Sequence, residues 1–404
     1  MSIISRKLQG NEIGSSKDAT GVRYYVHRRD DNKKRNFVLV NRDLAKHYPC
    51  DAGDTIKMCN SLAEKGFSNS KRAENIVVIA FAETATALGV IVANRLKELN
   101  TKNNVFVITT TREELNGIQA SDKIEFEEKH SHAVEQVMYF GDEVRSSLDV
   151  CDRLVIVDDE LSTGNTILNL IDKIEDVYSM GEFTRVEAWS LLNGMSNDNK
   201  KVFKQRNIRV VYLDSVNKTE IEKHADTLSE NIATADRAYN KSVSPKILAP
   251  IQLDNSNIRF GVDIDNYVRE IDYKADKIIQ GTDYRDKEYS RIDVVGTEEC
   301  IYPAIAVASK LKERYNNKIP VTCHSTTRSP IVANEMAVLF NRTSLDSIYD
   351  NSRKTYIYNM GKDGNVLVVI VTDANCSNEK MYGFANGLSG IHGIKDIECI
   401  KVQY

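Results

Sequence analysis

Short apolar runs alternate with longer stretches in which apolar residues recur at helical spacing. Asn75–Phe81 (NIVVIAF), Asn104–Thr110 (NVFVITT) and Leu154–Val157 (LVIV) are β-branched, apolar and bounded by polar residues, so they predict buried strands. The segments from Asp54 to Lys65, from about Thr84 to Leu99 and from Thr166 onward carry the spacing of amphipathic helices. VEAWSLL and IRVVYL add two strands, and VRYYVHRRDDNKKRNFVLV reads as two strands around a polar turn at Asp30–Lys34. Strands that alternate with helices predict a parallel sheet with helices on its faces. Residues 110–132 are polar and aperiodic, which predicts a long mobile loop.

Residues 216–248 are polar with helical spacing, and two prolines follow closely in SVSPKILAPIQ. A domain boundary is placed there, giving residues 1–245 and 246–404. The second part repeats the α/β texture. IRFGVDI, IDVVG, IPVTCHS and VLVVIVTDA predict strands, the last ending at Asp373, while ECIYPAIAVASKLKERY and SPIVANEMAVLF predict helices. A length of 404 residues suits two such domains.

Composition narrows the picture. The net charge is −4 although 28% of residues are charged, so bulk charge implies no nucleic-acid partner. The seven cysteines are scattered and form no CxxC pair, which favours reduced thiols in the cytoplasm. No run approaches the ~18 apolar residues of a membrane span, and MSIISRKLQG has no apolar signal core. A cytoplasmic protein without a membrane partner is expected.

The stretch RLVIVDDELSTGNTILNLI carries the chemistry. An apolar strand runs into Asp158 and Asp159, and Ser162-Thr163-Gly164-Asn165-Thr166 precedes a helix. Free N–H groups at a helix N-terminus favour an anion. Two carboxylates beside such a loop suit a ligand with hydroxyls and a phosphate. Plain helix capping is the alternative.

This stretch resembles the ribose-5-phosphate signature of the type I phosphoribosyltransferases. The resemblance implies their fold, a parallel sheet with flanking helices and a mobile loop, followed here by a second small α/β domain. It implies that Asp158 and Asp159 contact the ribose hydroxyls of phosphoribosyl pyrophosphate, and that Ser162 to Thr166 wrap the 5-phosphate. Glu160 departs from the apolar residue many members carry. AFAETATALG resembles the pyrophosphate loop, with Ala82, Glu83 and Thr84 at its tip. TTTREE…EEKHSHA occupies the position of the catalytic loop, where Arg112, Lys123, Lys129, His130 and His132 offer positive charge; the histidines read equally well as exposed loop residues. His130-x-His132 is also metal-ligand spacing, but no Cys or third His stands near it, so zinc is discounted. The family implies Mg²⁺, reached by Asp158 and Asp159 through the substrate, and a fold that commonly forms homodimers. A non-catalytic regulator sensing phosphoribosyl pyrophosphate or a nucleotide is the rival reading; the charged loop favours an enzyme.

CHSTTRSPI and VVGTEECIYPA resemble the TRSP domain fused behind one branch of these enzymes, found in gene clusters linked to tellurite resistance and stress. That branch is associated with making a nucleoside-like metabolite, but the acceptor stays unnamed. Gly296, Thr297, Ser325, Thr327, Arg328 and Ser329 then form a candidate second phosphate site, with hydroxyls and one guanidinium fork. N-capping with an interdomain Arg ion pair is the alternative. The expected activity is Mg²⁺-dependent phosphoribosyl transfer to an unknown, nucleobase-like acceptor, with the C-terminal domain binding or processing a phosphorylated intermediate.

Overall fold

The structure is a computed structural model. It describes residues 8–9, 12–13, 24–28, 37–41, 43–45, 50–68, 71–82, 85–112, 115, 117–126, 136–178, 184–227, 244–254, 256–282, 288–297, 300–326, 365–374, 376–378, 381–382 and 394–404.

A small antiparallel sheet comes first, built of β1 (Leu8–Gln9), β2 (Glu12–Ile13), β3 (Tyr24–Arg28) and β4 (Phe37–Asn41) in that order. Its last two strands are the hairpin expected from the sequence; the turn between them lies outside the described residues. The chain then alternates through α1 (Ala52–Gly66), β5 (Asn75–Ala80), α2 (Thr86–Leu99) and β6 (Asn104–Thr109). An antiparallel hairpin of β7 (Lys123–Phe126) and β8 (Gln136–Tyr139) leads to α3 (Asp142–Asp149). Then follow β9 (Arg153–Leu161), α4 (Asn165–Val177), β10 (Arg185–Asn193), α5 (Asn197–Gln205), β11 (Arg209–Ser215) and α6 (Lys218–Thr227). Beyond residue 244 come β12 (Lys246–Ile247), β13 (Ile251–Gln252), β14 (Val262–Asp263), α7 (Ile264–Gly281), β15 (Arg291–Thr297), α8 (Ile301–Arg314), β16 (Val321–Thr326), β17 (Val366–Asp373) and β18 (Ile394–Gln403).

The first large sheet has the order β11-β10-β9-β5-β6-β14 and is parallel except at β14, which pairs antiparallel with β6. The second has the order β12-β18-β17-β15-β16 and is parallel throughout. Helices α1 and α2 cover one face of the first sheet and pack against α7 and α8, which belong to the second part of the chain. The helical pattern of α4 has a direct physical outcome. Ile167, Leu170, Ile171 and Ile174 share one face and are buried, each worth about 1.5–3 kcal/mol of apolar burial.

A buried charge network closes the amino ends of the strands. Arg153 is fully buried; its Nε donates to Glu187 Oε1 at 2.8 Å and its Nη2 to the Gly66 carbonyl at 2.6 Å. The Trp189 indole N–H donates to Glu187 Oε2 at 2.8 Å. This network lies at the end of β9 opposite Asp158.

Three expectations need correction. Strand β9 does not stop at Val157: it continues to Leu161, because β10 keeps pairing with it after β5 has left. Residues 110–132 are not one aperiodic loop. Ile124 and Phe126 are buried in β7, and the residues between β7 and β8, 127–135, lie outside the described set. IRFGVDI is not a strand as a whole. A short 3-10 turn at Ile258–Phe260 and Gly261 at φ +83° leave only Val262–Asp263 extended. The helix expected over residues 329–340 lies outside the described residues. Residues 246–252 feed the second sheet, whereas β14 completes the first, so the two parts interlock beyond residue 245.

Candidate active site

The site forms where β9 outruns its neighbour. The last β5–β9 pair is Ala80 with Val157; beyond it β9 pairs with β10 alone, Ser190 opposite Asp158 and Leu192 opposite Glu160. The carboxyl end of β5 thus exposes one side of the acidic stretch, and Asp158 and Asp159 are half-buried there. Asp158 Oδ1 accepts from the Asp159 amide at 2.9 Å.

The loop Ser162–Gly164 carries the chain into α4. Gly164 sits at φ +78°, the left-handed region that favours glycine. A Cβ there would lie 2.5 Å from the Phe203 ring and 3.0 Å from Met195 Sδ. Thr163 is held twice: its Oγ1 accepts from the Asn165 amide at 3.3 Å, and its carbonyl accepts from Asn199 Nδ2 at 2.8 Å. Helix α4 starts at Gly164 with no side-chain cap, so first-turn N–H groups face the loop that follows the two carboxylates. The structure therefore brings Asp158, Asp159, Ser162, Thr163, Gly164, Asn165 and Thr166 into one turn of strand, loop and helix.

The second loop leaves β5. The Phe81 amide donates to the Val157 carbonyl at 3.1 Å, fastening this loop to β9 directly before Asp158. The Ala82 amide donates to Thr110 Oγ1 at 2.8 Å, and Thr110 Oγ1 donates to Gln136 Oε1 at 2.5 Å. The protein thus already engages the Ala82 N–H. Glu83 and Thr84 lie outside the described residues. Thr111 pairs across to Val137, the second residue of β8, with both backbone bonds at 2.8 Å, so half-buried Arg112 follows a residue that flanks the β7–β8 hairpin. Lys123 Nζ pairs with Glu125 Oε1 at 2.6 Å on the strand, while Lys129, His130 and His132 lie outside the described residues.

Residues 26–219 match the family described as phosphoribosyl transferase, and residues 256–388 match the TRSP domain found C-terminal to it. The chain belongs to the phosphoribosyltransferase family that carries a TRSP domain behind it. Among solved structures it is similar to adenine phosphoribosyltransferase from Trypanosoma brucei, with 16% identity over 54% of this chain and 85% of that one, at a TM-score of 0.32. The Giardia lamblia adenine enzyme gives 16% identity over 48% and 93%, TM-score 0.32. The orotate phosphoribosyltransferase of Aeropyrum pernix gives 16% over 49% and 92%, TM-score 0.28. No curated protein matches the sequence significantly. Among the described residues, no helix is long and apolar enough to cross a membrane.

In the phosphoribosyltransferase domain the structure adds a residue the sequence did not mark. Tyr24, from the N-terminal hairpin, is 4% exposed and pairs across the hairpin with Asn41. Burial, then the nearby carboxylates of Asp159, Glu160 and Asp214, push its phenol well above the ordinary tyrosine value, against a lowering contact from Asn41. The hairpin thus reaches over the carboxyl ends of β9 and β11. No local pattern announces this, because Tyr24 meets the acidic stretch only through the tertiary fold.

In the TRSP domain, Gly296 lies beside Ser325 and Thr297 beside Thr326 at the carboxyl ends of β15 and β16. A Cβ on Gly296 would come within 2.9 Å of Ile301 Cα, so glycine lets α8 start against the strand. Thr297 Oγ1 and Thr372 Oγ1 share a hydrogen bond at 2.9 Å, and buried Asp373 accepts from the Cys376 amide at 3.1 Å. Helix α8 has no side-chain cap. Thr327, Arg328 and Ser329 lie outside the described residues, so only Gly296, Thr297 and Ser325 of the expected set are placed. Thr372 is a neighbour the sequence did not single out.

Proposed function

We propose that the protein transfers the 5-phosphoribosyl group of phosphoribosyl pyrophosphate to a small, nucleobase-like acceptor. The observation that carries this reading is the juxtaposition of Asp158 and Asp159 with the uncapped α4 N-terminus across the Ser162–Gly164 loop. The two carboxylates accept hydrogen bonds from the ribose 2′- and 3′-hydroxyls, and the loop N–H groups with the Thr163 and Thr166 hydroxyls receive the 5-phosphate. Holding the sugar at both points fixes its anomeric carbon between leaving group and acceptor. As the bond to pyrophosphate breaks, Asp158 and Asp159 face a ring that gains positive charge, and Arg112 beside the hairpin meets the departing negative charge. Closure of the β7–β8 hairpin excludes water.

Among the described residues no group of three His, Cys, Asp or Glu side chains forms a metal cage. An oxygen-only pair such as Asp158 and Asp159 fits Mg²⁺, which takes few protein ligands and binds substrate phosphates. When bound, Mg²⁺ neutralises charge on the polyphosphate. We place the acceptor beneath the N-terminal hairpin, where half-buried Glu160, with Tyr24 and Asp214 behind it, suits N–H donors on the incoming ring. The TRSP domain is assigned the phosphorylated product, at the carboxyl ends of β15, β16 and β17.

Replacing both Asp158 and Asp159 with Asn is expected to remove phosphoribosyl pyrophosphate binding, while far-ultraviolet dichroism and melting stay near wild type. Titration calorimetry showing undiminished affinity would overturn this assignment. Mass spectrometry of products formed from phosphoribosyl pyrophosphate, Mg²⁺ and a panel of nucleobase-like compounds then identifies the acceptor.

A further inference from the structure

The free cysteines have no role in the chemistry above, and all of them except half-buried Cys376 are buried. Two of them stand face to face. Cys50, immediately before the N-cap of α1, and Cys323, the third residue of β16, form an antiparallel bridge between the two domains. The Cys50 amide donates to the Cys323 carbonyl at 3.0 Å, and the Cys323 amide donates back to the Cys50 carbonyl at 2.8 Å. A pair that exchanges both bonds holds its Cα atoms about 5.5 Å apart. That separation falls inside the roughly 4.4–6.8 Å over which disulfides form. Cys50 Sγ lies 3.8 Å from the Cys323 carbonyl oxygen and 3.0 Å from Thr55 Oγ1, so the thiol is seated in the seam. The two residues are 273 positions apart in the chain.

We propose that Cys50 and Cys323 form a thiol–disulfide modification site, closed by a small-molecule disulfide, that ties the two domains covalently. Cys50 is 7% exposed and Cys323 1%, so the oxidant meets Cys50 first. The Cys50 thiolate attacks one sulfur of R–S–S–R, forms a mixed disulfide and releases the first R–S⁻. Cys323 Sγ then attacks Cys50 Sγ, breaks the mixed disulfide and releases the second. The two thiol protons end on the two released R–SH molecules, and two electrons pass from the protein to the oxidant. Hydrogen bonding with Cys50, then burial, raises the Cys323 thiol well above its ordinary range, which suits the second role rather than the first. Side chains of a hydrogen-bonded pair stand farther apart than those of the alternate pair. The bond therefore closes with some twist and reopens readily under thiol reductant.

The same seam explains what the bond changes. The Ser325 amide donates to the Ala45 carbonyl at 2.6 Å, and Lys312 of α8 pairs with Asp51, the N-cap of α1. In the reduced protein, backbone bonds hold β16 to Ala45 and Cys50, and one ion pair holds α8 to the N-cap of α1. Oxidation fixes β16 two residues before Ser325, at the mouth of the TRSP strand ends.

The test uses the folded full-length protein, first reduced and then incubated with excess oxidised glutathione, quenched with an alkylating agent and mapped by mass spectrometry. The expected product is a cross-linked peptide pair containing Cys50 and Cys323, lighter by two hydrogens, with a raised melting temperature that dithiothreitol restores to the starting value. C50S and C323S should each abolish the cross-link, and C59S should keep it. Pairing of Cys50 with Cys59, a glutathione adduct at Cys50 that never resolves, or seven unmodified thiols would each overturn the proposal.

Discussion

Gly164 shows how much one residue fixes. Its φ of +78° turns the chain from the acidic stretch into α4, and its missing side chain makes room for Phe203, which is fully buried. Gly164→Ala must strain the backbone and push that ring. A loss of about 1–3 kcal/mol in stability is expected, with weaker phosphoribosyl pyrophosphate binding. Denaturant titration and calorimetry check both, and wild-type values would show that the loop is not shaped by this contact. Asp158, Asp159 and the following loop were legible in the sequence because an apolar run, two acids and a Gly-containing turn lie side by side. Tyr24 was not, since a tyrosine in a hairpin gives no sign of which strand ends it will cover. Tyr24→Phe removes only the hydroxyl, so it is expected to raise KM for the acceptor and leave phosphoribosyl pyrophosphate affinity unchanged. Loss of affinity for phosphoribosyl pyrophosphate instead would place Tyr24 against the ribose. Arg153 is a contrasting case. Arg153→Met takes the 2.8 Å bond from Glu187 Oε1, while Trp189 and Arg209 still donate to Oε2 of this carboxylate, which is 2% exposed. About 1–3 kcal/mol of stability should be lost, with KM for phosphoribosyl pyrophosphate unaltered, because the network lies at the far end of β9.

At the scale of elements, the β7–β8 hairpin replaces the structureless loop that its composition suggested. The charged residues misled because only Ile124 and Phe126 face inward on β7, and two apolar positions are too few to set a period. The geometry places Arg112 beside β8, next to the Thr111–Val137 bridge. If the hairpin closes over the departing pyrophosphate, Arg112→Ala should lower kcat by more than it raises KM. Hydrogen exchange across residues 123–139 should slow with phosphoribosyl pyrophosphate and Mg²⁺ and stay fast without them. Equal exchange in both states would rule out closure. Helix α7 escaped notice for a related reason. Its buried positions are Ile264, Tyr267, Ile271, Ala275 and Ile279, a thin stripe among charges. The denser apolar run just before it has the look of a strand. Strand β18 was equally hidden, because Lys395, Asp396, Glu398 and Lys401 interrupt its apolar residues. Buried Glu398 lies 3.6 Å from Lys246, on the neighbouring β12, a match that only the folded sheet reveals.

For the whole molecule, the question is whether the boundary near residue 245 separates parts that fold alone. The strand–helix alternation gave both α/β domains, and the prolines marked the crossing. Neither feature could show that the chain crosses the seam again. Strand β14, from residues 262–263, completes the edge of the first sheet beside β6, and α7 then packs on α2. Lys97 of α2 pairs with Asp265 of α7 at 3.2 Å, and Gly261, at φ +83°, lies against the Phe106 ring. A fragment of residues 1–245 therefore loses its edge strand and uncovers the α2 face that α7 and α8 protect. An open, apolar sheet edge invites pairing with other chains. This fragment should melt at least about 5 °C below the full chain, and it should aggregate at concentrations where the full chain stays dispersed. Adding residues 246–404 as a separate polypeptide should restore the melting temperature, because β14, α7 and α8 then return to their places. Light scattering and thermal melts of the fragment, alone and with its complement, decide the matter. A fragment as stable and as dispersed as the full chain would mean that the seam contributes little, and that the two domains are joined by the linker rather than by their packing.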